Sequence, residues 1–125
     1  MSKFSKTDGL FRQIILQERP EVCEKCLNHR PVGVAHILPK GSHPRLRYQR
    51  TNVLLMCWHC HLEWAHKNPL EFNEWVCQYK GATLLDDLRI IERQLPKVDL
   101  KMLNLCFAEE LSHAKEKEEV PEVWL

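Results

Sequence analysis

The chain has 125 residues, 44% of them apolar and 28% charged, the balance of one globular domain and not of a disordered or membrane chain. No apolar run approaches the ~18 residues that would span a bilayer, and the polar opening Met1 to Gly9 does not read as a signal peptide, so a soluble, cytoplasmic protein is expected. The net charge of +1 hides an asymmetry: Lys25 to Leu62 holds six basic residues and no acidic one, whereas from Gly81 to Leu125 ten acidic residues face six basic ones, and a polyanion would be drawn to one face only.

In chain order, Asp8 is placed to cap a first helix carrying Leu10, Phe11, Ile14 and Ile15 at helical spacing, ended by Pro20. From Val22 to Cys60 the pattern breaks into short pieces. The apolar runs Val32 to Leu38 and Val53 to Met56 read as two strands of a hairpin, joined by a long basic loop containing Pro, Gly and Ser. A loop of that length is usually functional.

Helical periodicity returns after Cys60. A short helix should reach about Lys67 and stop at Asn68-Pro69, and the next carries Phe72, Trp75, Val76 and Tyr79 on one face and ends at Gly81. Thr83 is placed to cap a helix striped by Leu84, Leu88, Ile91 and Leu95, and Asp99 to cap a last one striped by Leu100, Leu103, Phe107 and Leu111. The run Lys115 to Glu119 reads as a solvated helix end. The expected organisation is α+β in one domain over 1–125: an N-terminal helix to residue 20, a core over 21–67, a helical extension over 68–119 and a tail over 120–125.

Cys23-x2-Cys26 and Cys57-x2-Cys60 form two knuckles whose thiolates can close a tetrahedral shell around Zn2+. With all four positions taken by sulfur, that ion has no place for water and serves structure, not catalysis. Cys77 and Cys106 fall on helix faces and are read as core. The insertion between Cys26 and Cys57 is longer than compact zinc ribbons use, so it should house something.

It houses Ala35-His36-Ile37-Leu38-Pro39 at the end of the first strand and Asn52 before the second, with His61 directly after the last cysteine. Singly, each has a plain explanation: a core histidine, a turn-forming asparagine, a histidine beside a metal ligand. As an ordered set within a four-cysteine cage, from Val22 to about His66, they resemble the HNH endonucleases. The resemblance implies a ββα-metal core that presents a divalent ion, Mg2+ or Mn2+, to the scissile phosphate of DNA. It makes His36 the general base, Asn52 the residue that orients His36 and its loop, and His61 a metal ligand, with 5′-phosphate and 3′-hydroxyl products. Many family members carry Asp, Glu or His just before the base as a second ligand. Here that position is Ala35, and Glu63 and His66 are the nearest ligand-type residues, at offsets from His61 that an α-helix does not align.

Ala35-His36 through Pro44-Arg45-Leu46-Arg47-Tyr48, then Asn52 and Cys57-x2-Cys60, look like the phage Rap (NinG) recombination endonucleases. The cysteine layout is also similar to that of phage endonuclease VII. These likenesses imply branched DNA substrates, such as four-way junctions, D-loops or flaps, and a bacterial host cell for a phage-encoded protein. Independently of any family, Lys40, His43, Arg45, Arg47 and Arg50 can neutralise phosphates and Tyr48 can stack on a base. Two other readings fit the sequence: a non-catalytic zinc-finger DNA-binding module, and an interaction module or homodimer formed through the C-terminal helices and the Trp124-containing tail.

Overall fold

The computed structural model describes residues 2–118, with side chains as far as Ala114; the tail 120–125 and the docking role considered for it lie outside the described residues. The architecture is α+β, with a two-stranded sheet. Contacts divide the chain into two compact units, one formed by the N-terminal stretch to Arg19 together with the chain from Asp99 onward, the other by Pro20–Val98. No helix among the described residues is long and apolar enough to cross a membrane.

The first unit pairs α1 (Ser5–Glu18) with α4 (Leu100–Glu118). The Phe11 and Phe107 rings lie 5.8 Å apart, and the buried Thr7 hydroxyl donates to Asn104 Oδ1 at 2.6 Å. Both contacts advance along α1 and α4 in the same sense, so the helices run parallel, which consecutive helices on a short loop could not do. Asp8 does not cap α1, which begins three residues earlier; its carboxylate stands in the first turn, where it complements the helix dipole. Asp99 does cap α4, its Oδ1 accepting from Met102 N–H at 3.1 Å. Cys106 is exposed on α4 and contributes nothing to the core, contrary to its sequence reading.

The second unit is built on an antiparallel hairpin of β1 (Val32–His36) and β2 (Val53–Cys57), in the register Val32↔Cys57 to His36↔Val53. All five residues of β2 are buried, so this strand is covered on both faces and reads as a continuous apolar run instead of an alternating one. A π-helical segment (His59–Ala65) leads into α2 (Pro69–Lys80) and α3 (Leu84–Gln94). Helix α2 packs on both the π segment and α3, burying Phe72, Val76 and Leu88. Gly81 ends α2 at φ 127°, donating to the Cys77 carbonyl, a backbone position that residues with a Cβ rarely adopt. Thr83 precedes α3 but bonds the Asp87 carboxylate at 3.0 Å and does not cap a backbone N–H.

One non-glycine residue among those described has positive φ: Leu27, at 64°, directly after the first knuckle, where its N–H donates to the Cys23 carbonyl at 2.8 Å. Its side chain is 71% exposed and so gains little from packing. The left-handed conformation costs a leucine roughly 1–2 kcal/mol, and glycine adopts it freely at a smaller entropic cost. Leu27→Gly should therefore raise stability by about 0.5–1 kcal/mol, measured as an upward shift of the denaturation midpoint with an unchanged slope. A lower midpoint would show that the leucine side chain holds the knuckle.

Candidate functional site

The four cysteines of the two knuckles converge. The sulfurs of Cys23, Cys26, Cys57 and Cys60 all lie within 4.8 Å of one another, close enough to hold a metal ion such as zinc. Cys57 ends β2, Cys60 lies in the first turn of the π segment, and Cys23 and Cys26 come from an irregular stretch with no helix or strand of its own. That stretch is fastened by Glu24. Its backbone N–H donates to the Leu55 carbonyl at 2.8 Å, and its carboxylate accepts from the Leu55 N–H at 2.6 Å and from the Tyr79 hydroxyl at 2.8 Å. Lys25 adds a cation–π contact, its Nζ 4.9 Å from the Trp64 ring centre and 5.6 Å from that of Trp75. Nothing in the sequence marked Glu24 or Lys25, because their partners come from β2, the π segment and α2.

The electrostatics of the cage ask for a cation. Burial works to raise the Cys23 thiol, but N–H groups of Cys26, Cys57 and Lys25 point at its sulfur and bring its pKa down to about 7. Burial pushes Cys60 strongly upward, and the other three sulfurs reinforce it. One thiolate forms readily and further ones are repelled, which a dication would reverse.

Beyond the cage, the loop between the strands is pinned by Asn52, which is fully buried. Its Oδ1 accepts from Leu38 N–H at 2.8 Å, and its Nδ2 donates to the carbonyls of Leu38 at 3.1 Å and Leu46 at 3.2 Å. The strand expected to reach Leu38 stops at His36, and Asn52 takes over the pairing: its carbonyl accepts from Ile37 N–H and its side chain from Leu38 N–H. With the loop so held, His36 Nε2 lies 2.9 Å from the Arg47 carbonyl. A carbonyl only accepts, so Nε2 carries the proton and, in the neutral ring, Nδ1 carries the lone pair.

His36 lines a cavity of about 510 Å³ with Lys40, His61, His66, Asn73 and the apolar residues Val34, Ile37, Leu38 and Phe72. Its lining holds three histidines and a lysine and no carboxylate. His61 and His66 face each other with Nε2 atoms 3.1 Å apart and rings edge to face. An α-helix would not align residues five apart, but in the π-helix the His66 N–H bonds the His61 carbonyl, and that i→i+5 step sets the two rings side by side. The spacing His61-x4-His66 was the only signal in the sequence. Burial, then the nearby charges of His66, His36 and Lys40, hold the His61 pKa below its ordinary value, leaving a neutral imidazole able to donate a lone pair. Glu63, the other ligand candidate, instead pairs with Lys67 at 2.8 Å, which lowers its pKa. Ala35 is buried opposite Leu54 and offers no donor.

The basic loop divides. Lys40 faces the cavity, whereas His43 Nδ1 meets the Glu92 carboxylate at 2.9 Å and Arg45 Nη1 donates to the Leu95 carbonyl at 3.4 Å, both tying the loop to α3 and its end. The Arg47 guanidinium lies 5.9 Å from the Tyr48 ring centre, and the half-buried Arg50 opens the turn that leads to Asn52. Comparison with family models, curated proteins and solved structures gives no match for this chain.

Proposed function

We propose that this protein is a metal-dependent DNA endonuclease of the HNH kind, with zinc in the four-cysteine cage and the chemistry in the adjoining cavity. The observation that supports it is the convergence of His36, His61, His66 and Lys40 on one carboxylate-free cavity beside that cage, with Asn52 holding the loop that aims His36. Such a lining suits a phosphodiester: it offers positive charge to the non-bridging oxygens, a base for water and imidazoles for an ion.

His36 Nδ1 takes a proton from a water molecule, and the resulting hydroxide attacks phosphorus in line with the departing 3′-oxygen. The Arg47 carbonyl, bonded to Nε2–H, fixes the tautomer and steadies the imidazolium that forms. Lys40 receives a non-bridging oxygen of the scissile group. A divalent ion held by His61 and His66 would stabilise the charge developing on the phosphoryl and leaving oxygens. The P–O3′ bond breaks to leave a 5′-phosphate and a 3′-oxyanion that takes a proton from solvent water to become the 3′-hydroxyl, and His36 returns its proton to solvent.

On this reading His66 takes the ligand role that Ala35 leaves open. Low sequence specificity follows from contacts made to phosphates, and the likeness to recombination endonucleases favours branched DNA. Incubating the zinc-loaded protein with linear, flap and four-way-junction DNAs, in Mg2+, Mn2+, Co2+ or Ni2+, should give metal-dependent cutting that is fastest on branched forms. Binding without cutting on every substrate would support the zinc-finger alternative, which the donorless Ala35 favours.

A further inference from the structure

We propose that the His61–His66 pair is a site for a late first-row transition ion, of the Ni2+ or Co2+ type, and that it discriminates against Mg2+. As an assignment of the catalytic ion this rests on the nuclease reading; as a binding site it stands on the geometry alone.

The two Nε2 atoms are 3.1 Å apart, on rings that meet edge to face. Two bonds of about 2.1 Å to a single ion would then enclose an angle of about 95°, near the 90° between neighbouring ligands of an octahedron. One imidazole donates its N–H to the other across that gap; an ion bound to both would replace that proton and stand off the line between the nitrogens, since two bonds of about 2.1 Å together exceed the separation. His61 lies in the π segment and His66 directly follows it, and the segment is fixed by Cys60 of the sulfur cage and by α2 packed against it. The pair is therefore held in place before an ion arrives.

The donor set decides which ion. Mg2+ demands hard oxygen ligands and sheds water reluctantly, and it is ordinarily held by one or two carboxylates. The cavity lining has none, and the nearest acidic side chain in the segment, Glu63, is bonded to Lys67. Imidazole nitrogen favours Co2+, Ni2+, Cu2+ and Zn2+, with general affinity rising from Co2+ through Ni2+ to Cu2+ and falling again at Zn2+. The Mg2+ or Mn2+ implied by the family resemblance is thus the less suited choice for this cavity. The open positions of the ion would face the space lined by His36 and Lys40, where phosphate oxygens and water can complete the shell.

The test is calorimetric titration of tag-free, zinc-loaded full-length protein with Ni2+ and, separately, with Mg2+, followed by NMR of the histidine ring protons. Ni2+ should bind at one equivalent beyond the cage zinc, about 100-fold or more tighter than Mg2+, and should selectively broaden the His61 and His66 resonances. His66→Ala and His61→Ala should each weaken Ni2+ by about 10-fold or more, whereas His59→Ala, an exposed histidine in the same segment, should not. Mg2+ binding as tight as Ni2+, or Ni2+ binding unaffected by His66→Ala in a folded protein, would overturn the proposal. Selective Ni2+ binding with no cutting of any DNA would uphold the site and remove the nuclease reading.

Discussion

Cys57→Ser is expected to lose bound zinc and the cooperative unfolding of the Pro20–Val98 unit in one step. Cys57 sits at the junction of everything that defines this unit. It ends β2, pairs with Val32 across the hairpin, and places its sulfur 3.9 Å from that of Cys26. The residues from Arg19 to Pro31 form no helix or strand, so the first knuckle depends on the cage, on local turn hydrogen bonds and on the contacts of Glu24 and Lys25. The binding energy of a structural zinc ion, roughly 10–16 kcal/mol, is as large as the whole stability of a typical domain, about 5–15 kcal/mol. Removing one thiolate therefore removes more than the fold can spare. Metal analysis and a thermal melt of the same sample measure both losses. Cys106→Ser, at an exposed position outside the cage, should change neither. A zinc-free Cys57→Ser protein that melts as the parent does would show that packing of β2 against its helices suffices without the ion.

The parts legible in the sequence are those whose cause is local. Strand β2 announced itself as an apolar run, α2 by the spacing of Phe72, Trp75, Val76 and Tyr79 with a glycine after it, and α4 by an aspartate that does cap it. The cage followed from two x2 knuckles because that spacing alone turns two sulfurs toward one point. What escaped was set by tertiary structure. The turn after Cys60 closes as π, between the cage and α2, and periodicity in the sequence does not separate that from an α turn. That choice set His66 facing His61, whereas the Glu63–Lys67 pair, four residues apart, is one that an α turn would also make. The ties of His43 to Glu92 and of Arg45 to the Leu95 carbonyl could not be read from the basic loop, because those partners lie about fifty residues away in sequence.

His36→Ala should reduce DNA cleavage by roughly 10²–10⁴-fold while leaving zinc content and DNA binding close to those of the parent, because it removes the proton acceptor and little else. The loop that aims His36 is held by three hydrogen bonds from Asn52, none of which involves the histidine. Loss of the bond to the half-buried Arg47 carbonyl should cost about 1 kcal/mol of stability and is visible as a small fall in melting temperature. His61→Ala differs in kind. It weakens the ion, so raising the metal concentration should recover part of its cleavage, whereas no concentration should recover His36→Ala. A folded, zinc-loaded His36→Ala protein that cuts at the parent rate would place the base elsewhere in the cavity, and rescue of that variant by metal alone would make His36 a ligand instead.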